Sequence, residues 1–194
     1  KGDTKIGTVE HILSALVGIG IDNVLIEVDA EEIPIMDGSA APFVEAILKA
    51  GKEEQGEDRQ YFVVEEPISY RDEASGAELL VIPSDTFQVT TMVDFNSFLG
   101  QQYAYLEDTS NYAEEIAPCR TFVFLRELEY LLDQNLIKGG DLDNAIVLVD
   151  KEVDQAELDV LAKKLGKPSI KVDKQGVLNT IDLKFQNEIA RHKL

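Results

Sequence analysis

The chain is poor in cysteine, in histidine and in positive charge. Its one cysteine, Cys119, cannot form a disulfide within the chain, which indicates a reducing compartment such as the cytoplasm. No stretch approaches the roughly 18 apolar residues of a membrane-spanning helix, so we expect no integral membrane segment. Lysine and arginine number 18 against 37 aspartates and glutamates, and the net charge of −19 disfavours nucleic acid as a partner.

Several motifs of common enzymes are also missing. The sequence contains no H-x-x-x-H pair, no pair of cysteines and no glycine-rich phosphate loop, which argues against the metal and nucleotide sites built on those patterns. What the chain does have is an ordinary globular composition, 44% hydrophobic and 28% charged, over 194 residues. That length allows one large domain or two small ones.

The apolar spacing predicts helices and strands intermixed along the whole chain. In the first part we expect a helix from Thr8 as N-cap through Leu16, strands over residues 23–28 and 33–36, and a helix from Ser39 as cap to Gly51. In the second part we expect strands over residues 61–64, 68–70, 78–82, 87–95 and 145–149, a helical turn over 111–116, a helix from Leu125 ending before Gly139-Gly140, another over 158–165, and a last helix from Asn187.

This mixture predicts an α+β fold. Residues 52–60 are charged and have no apolar period, which favours a linker and a domain boundary near residue 58. Strict strand–helix alternation is missing, so we expect each part to form a small two-layer α/β sandwich rather than a doubly wound sheet. The predicted domains are therefore residues 1–58 and residues 59–194.

The two histidines are the side chains that point most directly to chemistry. Glu10 precedes His11 at a helix start, and His192 lies in the last predicted helix. A carboxylate beside a metal-bound imidazole can take a proton from metal-bound water, so the pattern indicates part of a metal-dependent hydrolase site. The alternative is that Glu10 only complements the helix dipole and that both histidines are solvated side chains without a role.

Four ordered blocks of the sequence resemble the bacterial UDP-3-O-acyl-N-acetylglucosamine deacetylases. They are residues 8–23 (TVEHILSAL followed by GIGIDN), residues 32–44 (EIPIMDGSAAPFV), residues 120–147 (RTFVFL, EY and GGDLDNAIV), and residues 191–193 (RHK), which resemble the opening of the family's H-K-x-x-D motif. Together the blocks extend over nearly the whole chain, which makes the resemblance specific.

The resemblance implies a zinc hydrolase of lipid A synthesis that removes acetate from the nitrogen of a UDP-linked, acylated amino sugar. It makes His11 and His192 zinc ligands, with an aspartate four residues past His192 as the third, beyond the end of this chain. The chemistry of such a site agrees, with Glu10 as the general base and the Thr121 hydroxyl as a candidate second donor to the oxyanion beside the metal. The resemblance also implies that the first domain lacks its N-terminal strands, that the second is truncated in its last helix, and that a later catalytic histidine is missing.

The resemblance also suggests residues that bind substrate. Phe122, Leu125 and Leu128 correspond to the lining of a passage for the fatty acyl chain, although plain core packing at helical spacing is an equal alternative for each. The charge of Lys193 suits a diphosphate oxygen, and an exposed helix lysine without a role is an equal alternative.

The stretch over residues 154–174 departs from the family's usual short connection. Similar extensions occur in members fused to a 3-hydroxyacyl-carrier-protein dehydratase, so we expect the chain to come from such a multifunctional enzyme. Two other functions stay open at this stage. The chain could be a catalytically inactive structural or binding fragment, since two histidines alone hold zinc weakly, or an unrelated acidic interaction domain. The sequence does not predict an oligomeric state.

Overall fold

The computed structural model describes residues 4–133, 144–174 and 176–194. The helices are α1 (Glu10–Gly18), α2 (Ala41–Ala50), α3 (Tyr112–Glu115), α4 (Leu125–Asp133), α5 (Gln155–Lys164) and α6 (Glu188–Lys193), and a 3-10 turn covers Thr109–Asn111. The strands are β1 (Ile68–Arg71), β2 (Glu78–Val81), β3 (Val89–Asp94), β4 (Gln101–Leu106), β5 (Phe122–Phe124) and β6 (Ile146–Leu148). The predicted α+β class is confirmed.

The strands of the described residues form three two-stranded sheets. β1 and β2 make an antiparallel hairpin with Ile68 opposite Val81, and β3 pairs with β4 in the same sense. β5 and β6 run parallel, with Phe122 opposite Ile146. The strands predicted over residues 68–70 and 78–82 are therefore confirmed and form a hairpin, whereas β4 and β5 were not predicted.

The start of α1 differs from the prediction in its cap. Val9 occupies the N-cap position without a side-chain hydrogen bond. Thr8 has a φ of 53°, and its hydroxyl donates to the carboxylate of Glu32. The N-cap assigned to Thr8 is thus wrong, because the helix begins one residue later and the left-handed backbone of Thr8 is not the extended conformation typical of an N-cap residue. Ala40 occupies the N-cap position of α2, so the N-cap assigned to Ser39 is wrong by one residue, although the Ser39 Oγ does accept a hydrogen bond from the Ala41 N–H in the first turn.

Three predicted strands, over residues 23–28, 33–36 and 61–64, are not strands in the structure. Most of their apolar side chains lie in solvent, and Leu25 and Phe62 are 82% and 87% exposed. Ile33 differs, since it is buried and its N–H donates to the carbonyl of Gly7, next to an isolated bridge between Gly7 and Glu32. That bridge does not continue into a ladder of hydrogen bonds, so no strand forms there. α5 begins at Gln155, capped by Asp154, slightly earlier than predicted. The helix exit predicted at Gly139-Gly140 lies outside the described residues.

The core is organised around β6, all of whose residues are buried. One face of the β5–β6 sheet packs against α4 and α5, and the other packs against β3 and α6. A third cluster joins the two predicted parts, because Ala15 of α1 and Val44 of α2 share it with Leu106, Tyr112 and Ile116. The boundary near residue 58 and the two-layer arrangement of each part stay predictions. Among the described residues, no helix is both long and apolar enough to cross a bilayer.

Candidate metal centre

A cavity of about 360 Å³ lies between α1, α3 and α6. Five residues predicted for the site line it: Glu10, His11, Thr121, His192 and Lys193. The fold therefore gathers all five predicted polar groups from segments that are far apart in sequence.

The two histidines face each other across this cavity. Their ring centroids are 5.5 Å apart, and the rings meet edge to face. Because a Zn–N bond is about 2.1 Å long, two imidazoles bound to one tetrahedral ion would have centroids about 5 Å apart. The observed separation is close to that value.

His11 is 4% exposed, and neither of its ring nitrogens has a hydrogen-bond partner among the described residues. Burial lowers the pKa of His11, while the nearby carboxylates of Glu10 and Asp37 oppose that shift. A buried, neutral imidazole with unpaired nitrogens is costly unless something binds it. Since neutral imidazole is the common zinc ligand, the donor chemistry fits a cation.

His192 is held differently. Its Nδ1 lies 3.1 Å from the carbonyl oxygen of Cys119. Burial lowers the pKa of His192, and the hydrogen bond to Cys119 opposes that shift. A carbonyl can only accept, so Nδ1 is the protonated nitrogen and Nε2 keeps its lone pair.

A buried ion pair fixes the helix that carries His192. Glu188 is fully buried at the start of α6, and its Oε1 accepts from the backbone N–H of Arg120 at 3.0 Å and from Nε of Arg120 at 2.9 Å. Oε2 accepts from Nη2 of Arg120 at 3.1 Å and from the N–H of Lys184 at 2.6 Å. Nη2 of Arg120 also donates to the carbonyl of Asp182. Every polar atom of the carboxylate is thus satisfied.

Thr121 is positioned by the turn over residues 37–39. The N–H and Oγ of Ser39 both donate to Oδ1 of Asp37, and the carbonyl of Gly38 accepts from the Thr121 N–H at 2.7 Å. Gly38 has a φ of +81°, and a Cβ there would lie 1.8 Å from the carbonyl oxygen of Asn144. Only glycine fits this position, which explains the glycine of the second sequence block.

The predicted substrate residues divide into two groups. Phe122 is half-buried beside His192, with ring centroids 6.3 Å apart, and the exposed Lys193 places Nζ 5.3 Å from the Phe122 ring. Leu125 and Leu128 are buried in the cluster with α5 and do not line the cavity of the histidines. A passage role for these leucines stays a prediction.

Sequence reasoning missed several residues of the site. Tyr112 and Ser14 line the cavity, and their hydroxyl oxygens are 2.6 Å apart. Cys119 is buried, and burial raises the pKa of its thiol to about 12, so the thiol is unreactive. Its contribution to the site is the backbone carbonyl that contacts His192. Arg120 lay within a recognised block, but nothing local indicated its pairing with Glu188.

The described part of the chain contains no group of three histidine, cysteine or carboxylate side chains placed to hold a metal ion. His11 and His192 are therefore a pair of candidate ligands without a third one among the described residues.

Comparisons with known proteins agree with the sequence blocks. The family model for UDP-3-O-acyl N-acetylglycosamine deacetylase (LpxC) matches residues 1–161. A bifunctional LpxC/FabZ enzyme of Chlorobaculum tepidum is 45% identical over 197 residues, covering 100% of this chain and 42% of that protein. A UDP-3-O-acyl-N-acetylglucosamine deacetylase of Actinobacillus succinogenes is 40% identical over 194 residues, covering 98% of this chain and 55% of the relative.

The chain thus spans about half the length of these curated relatives. The match excludes the alternative of an unrelated acidic interaction domain. Because the family model covers most of its length, the chain belongs to the UDP-3-O-acyl-N-acetylglucosamine deacetylase family.

Proposed function

We propose that the protein containing these residues is a zinc-dependent deacetylase that hydrolyses the acetamide of UDP-3-O-acyl-N-acetylglucosamine in lipid A biosynthesis. The observation that carries this proposal is the pair of imidazoles facing each other in one cavity, with the nitrogens of His11 unpaired. Family membership supplies the substrate class.

His11 and His192 would hold the zinc ion, together with a third ligand that the family resemblance implies to be an aspartate. When bound, zinc supplies Lewis acidity toward a carbonyl and lowers the pKa of water. The chain's own contribution is to present two neutral imidazoles in a pocket whose burial lowers the pKa of both.

Glu10 is the proposed general base. It is exposed at the edge of the cavity and precedes His11 on the first turn of α1, so its carboxylate can receive the proton of an attacking water. Thr121 lines the same cavity, and its hydroxyl is the proposed donor to the oxyanion that forms on the acetamide carbonyl.

The proposed substrate contacts involve four residues. Lys193 has an exposed ammonium at the rim of the cavity, suited to a diphosphate oxygen. Phe122 lies between the histidine pair and the apolar core, where an acyl chain would enter. Leu125 and Leu128 pack against α5, so they would contact the acyl chain of the substrate only if α5 moved away from them.

The test is acetate release by the complete protein that contains this chain. Glu10→Gln should lower kcat by about 10²- to 10⁴-fold with little change in zinc content. Glu45→Gln, an exposed carboxylate on α2, is the matched control and should retain full activity. Equal activity in Glu10→Gln and the unmodified protein would remove Glu10 as the base.

A second candidate function is that residues 1–194 alone are a catalytically inactive structural or binding fragment. The two-ligand arrangement of the described residues favours it, because two imidazoles alone bind zinc weakly. Zinc content after dialysis of the 194-residue chain tests it. Stoichiometric retention of zinc would contradict this candidate.

We also propose a fused origin and a cytoplasmic location for the protein, and no nucleic-acid partner. The bifunctional relatives support an origin in a deacetylase fused to a dehydratase. A cytoplasmic location and the absence of a nucleic-acid partner rest on the single cysteine and on the net charge of −19.

A further inference from the structure

One peptide group lies between two side chains of α6. The backbone N–H of Arg120 and the carbonyl of Cys119 belong to the same peptide unit. The N–H donates to Oε1 of Glu188 at 3.0 Å, and the carbonyl accepts from Nδ1 of His192 at 3.1 Å. Glu188 and His192 are four residues apart, so they occupy the same face of the helix one turn from each other.

This arrangement links a buried negative charge to the imidazole. A hydrogen bond to an amide N–H polarises the amide and makes its carbonyl a stronger acceptor. The carboxylate of Glu188 is fully buried, so solvent does not weaken this effect. The carbonyl of Cys119 therefore attracts the Nδ1–H of His192 more strongly than an ordinary backbone carbonyl would.

From this geometry we infer that Glu188 is a positioning residue for His192, acting through the Cys119–Arg120 peptide to fix the Nδ1–H tautomer and to leave Nε2 free for a ligand. Its functional meaning rests on the proposed role of His192 in metal binding, whereas the tautomer can be measured without a metal.

The second anchor of α6 provides a comparison within the same helix. Arg191 donates to the side chain of Glu115 at 3.2 Å and to its carbonyl at 3.1 Å. The Glu115 side chain is 45% exposed, and its hydrogen bond is with Arg191, whereas the Arg120 N–H donates to Glu188. A substitution at Glu115 thus loosens α6 without changing the polarisation of that peptide.

The experiment is ¹⁵N NMR of the metal-free, 194-residue chain with labelled histidine, at a pH where both imidazoles are neutral. The chain has only two histidines, and His11→Gln assigns their signals. We expect the Nδ1–H tautomer to dominate at His192 in the unmodified chain, with the amide proton of Arg120 shifted strongly downfield by its carboxylate acceptor. A dominant Nε2–H tautomer, or an Arg120 amide at a random-coil position, would overturn the inference.

The variants then separate positioning from general stability. Glu188→Gln should move the tautomer ratio of His192 toward Nε2–H by about threefold, because the polarising charge is lost. Glu115→Gln should leave the ratio unchanged. Equal ratios in the two folded variants would overturn the inference, and if Glu188→Gln does not fold, the two measurements on the unmodified chain still decide it. Zinc binding by the same samples tests the proposed function separately, since a chain with the wrong tautomer can still bind zinc.

Discussion

The two helices that carry the histidines are held in opposite ways. α6 is tied down by hydrogen bonds and charge, because Glu188 and Arg120 pair in the core and the ring of His192 is bonded to the Cys119 carbonyl. Neither helix has a side-chain cap at its start, but in α1 the nitrogens of His11 have no partner among the described residues. α1 is held by close packing of Gly18 against the ring of Tyr112 and by the hydrogen bond between the hydroxyls of Ser14 and Tyr112, without a buried ion pair among the described residues.

This difference shows where the candidate site has a stability cost. A ligand held by an outer hydrogen bond is oriented before anything binds to it. A ligand with unpaired buried nitrogens instead lowers the stability of the free protein and regains that energy only when a cation binds. His192 is thus oriented by a hydrogen bond, whereas both ring nitrogens of His11 lack a hydrogen-bond partner among the described residues.

The largest effect is expected on the α6 side. Arg120→Met removes the counter-charge of Glu188 and leaves a carboxylate buried alone, which should lower the free energy of unfolding by about 3–5 kcal/mol. Glu115→Ala breaks a partly exposed pair on the same helix and should cost at most about 1 kcal/mol. Urea denaturation measures both. A cost for Arg120→Met as small as that of Glu115→Ala would mean that charge does not hold α6.

The next effect concerns the packing of α1. A Cβ on Gly18 would lie 2.2 Å from the Tyr112 ring, so Gly18→Ala should destabilise the chain by about 1–3 kcal/mol. Alanine ordinarily stabilises a helix interior by up to about 1 kcal/mol relative to glycine, so the sign itself is informative. Val17→Ala, at the exposed neighbouring position, is the control and should change stability by roughly 0.5 kcal/mol or less. Stabilisation by Gly18→Ala would contradict the packing account.

The two histidines should respond to the same substitution with opposite signs. In the absence of metal, His11→Leu removes unpaired buried nitrogens and should raise the free energy of unfolding by about 1 kcal/mol. His192→Leu leaves the Cys119 carbonyl without its donor and should lower it by about 1 kcal/mol. Thermal unfolding in the presence of a chelator distinguishes the two. Destabilisation by both variants would contradict the contrast between the helices.

The smallest effect is a pH dependence centred on Glu188. Burial opposes its ionisation, but hydrogen bonds from Arg120 and Lys184 outweigh burial, and the pKa of Glu188 lies below its ordinary value of 4.5. The unfolded chain therefore takes up the proton first as the pH falls. The stabilisation is complete above pH 4.5 and is lost as the pH falls through the lowered pKa. In Glu188→Gln the free energy of unfolding, measured by urea denaturation at a series of pH values, should fall less steeply below pH 4.5 than in the unmodified chain. An unchanged dependence on pH would exclude Glu188 as its source.

Local signals predicted much of the fold and part of the site. Apolar periodicity placed α1, α2 and the β1–β2 hairpin correctly, because their apolar spacing or turn chemistry is contained within each segment. The same kind of signal failed at residues 23–28, since an apolar run does not show whether a neighbouring strand is present to pair with it.

The pairing within the site was beyond local patterns. Motif order suggested that His11 and His192 meet, and their centroid distance of 5.5 Å agrees. The bond between Glu188 and Arg120 joins residues 68 positions apart, and its burial depends on how α6 packs against β3 and β4. A glutamate at a helix start ordinarily favours the helix dipole, so its sequence position gave no sign of a core ion pair.

Zinc titration followed by ¹⁵N NMR of the two labelled histidines is the most direct test of the central claim. The account predicts that signals of His11 and His192 change together along one saturation curve, and that His11→Gln abolishes the response of His192. Independent responses of the two rings, or an undiminished response of His192 in His11→Gln, would show that they do not share one ion.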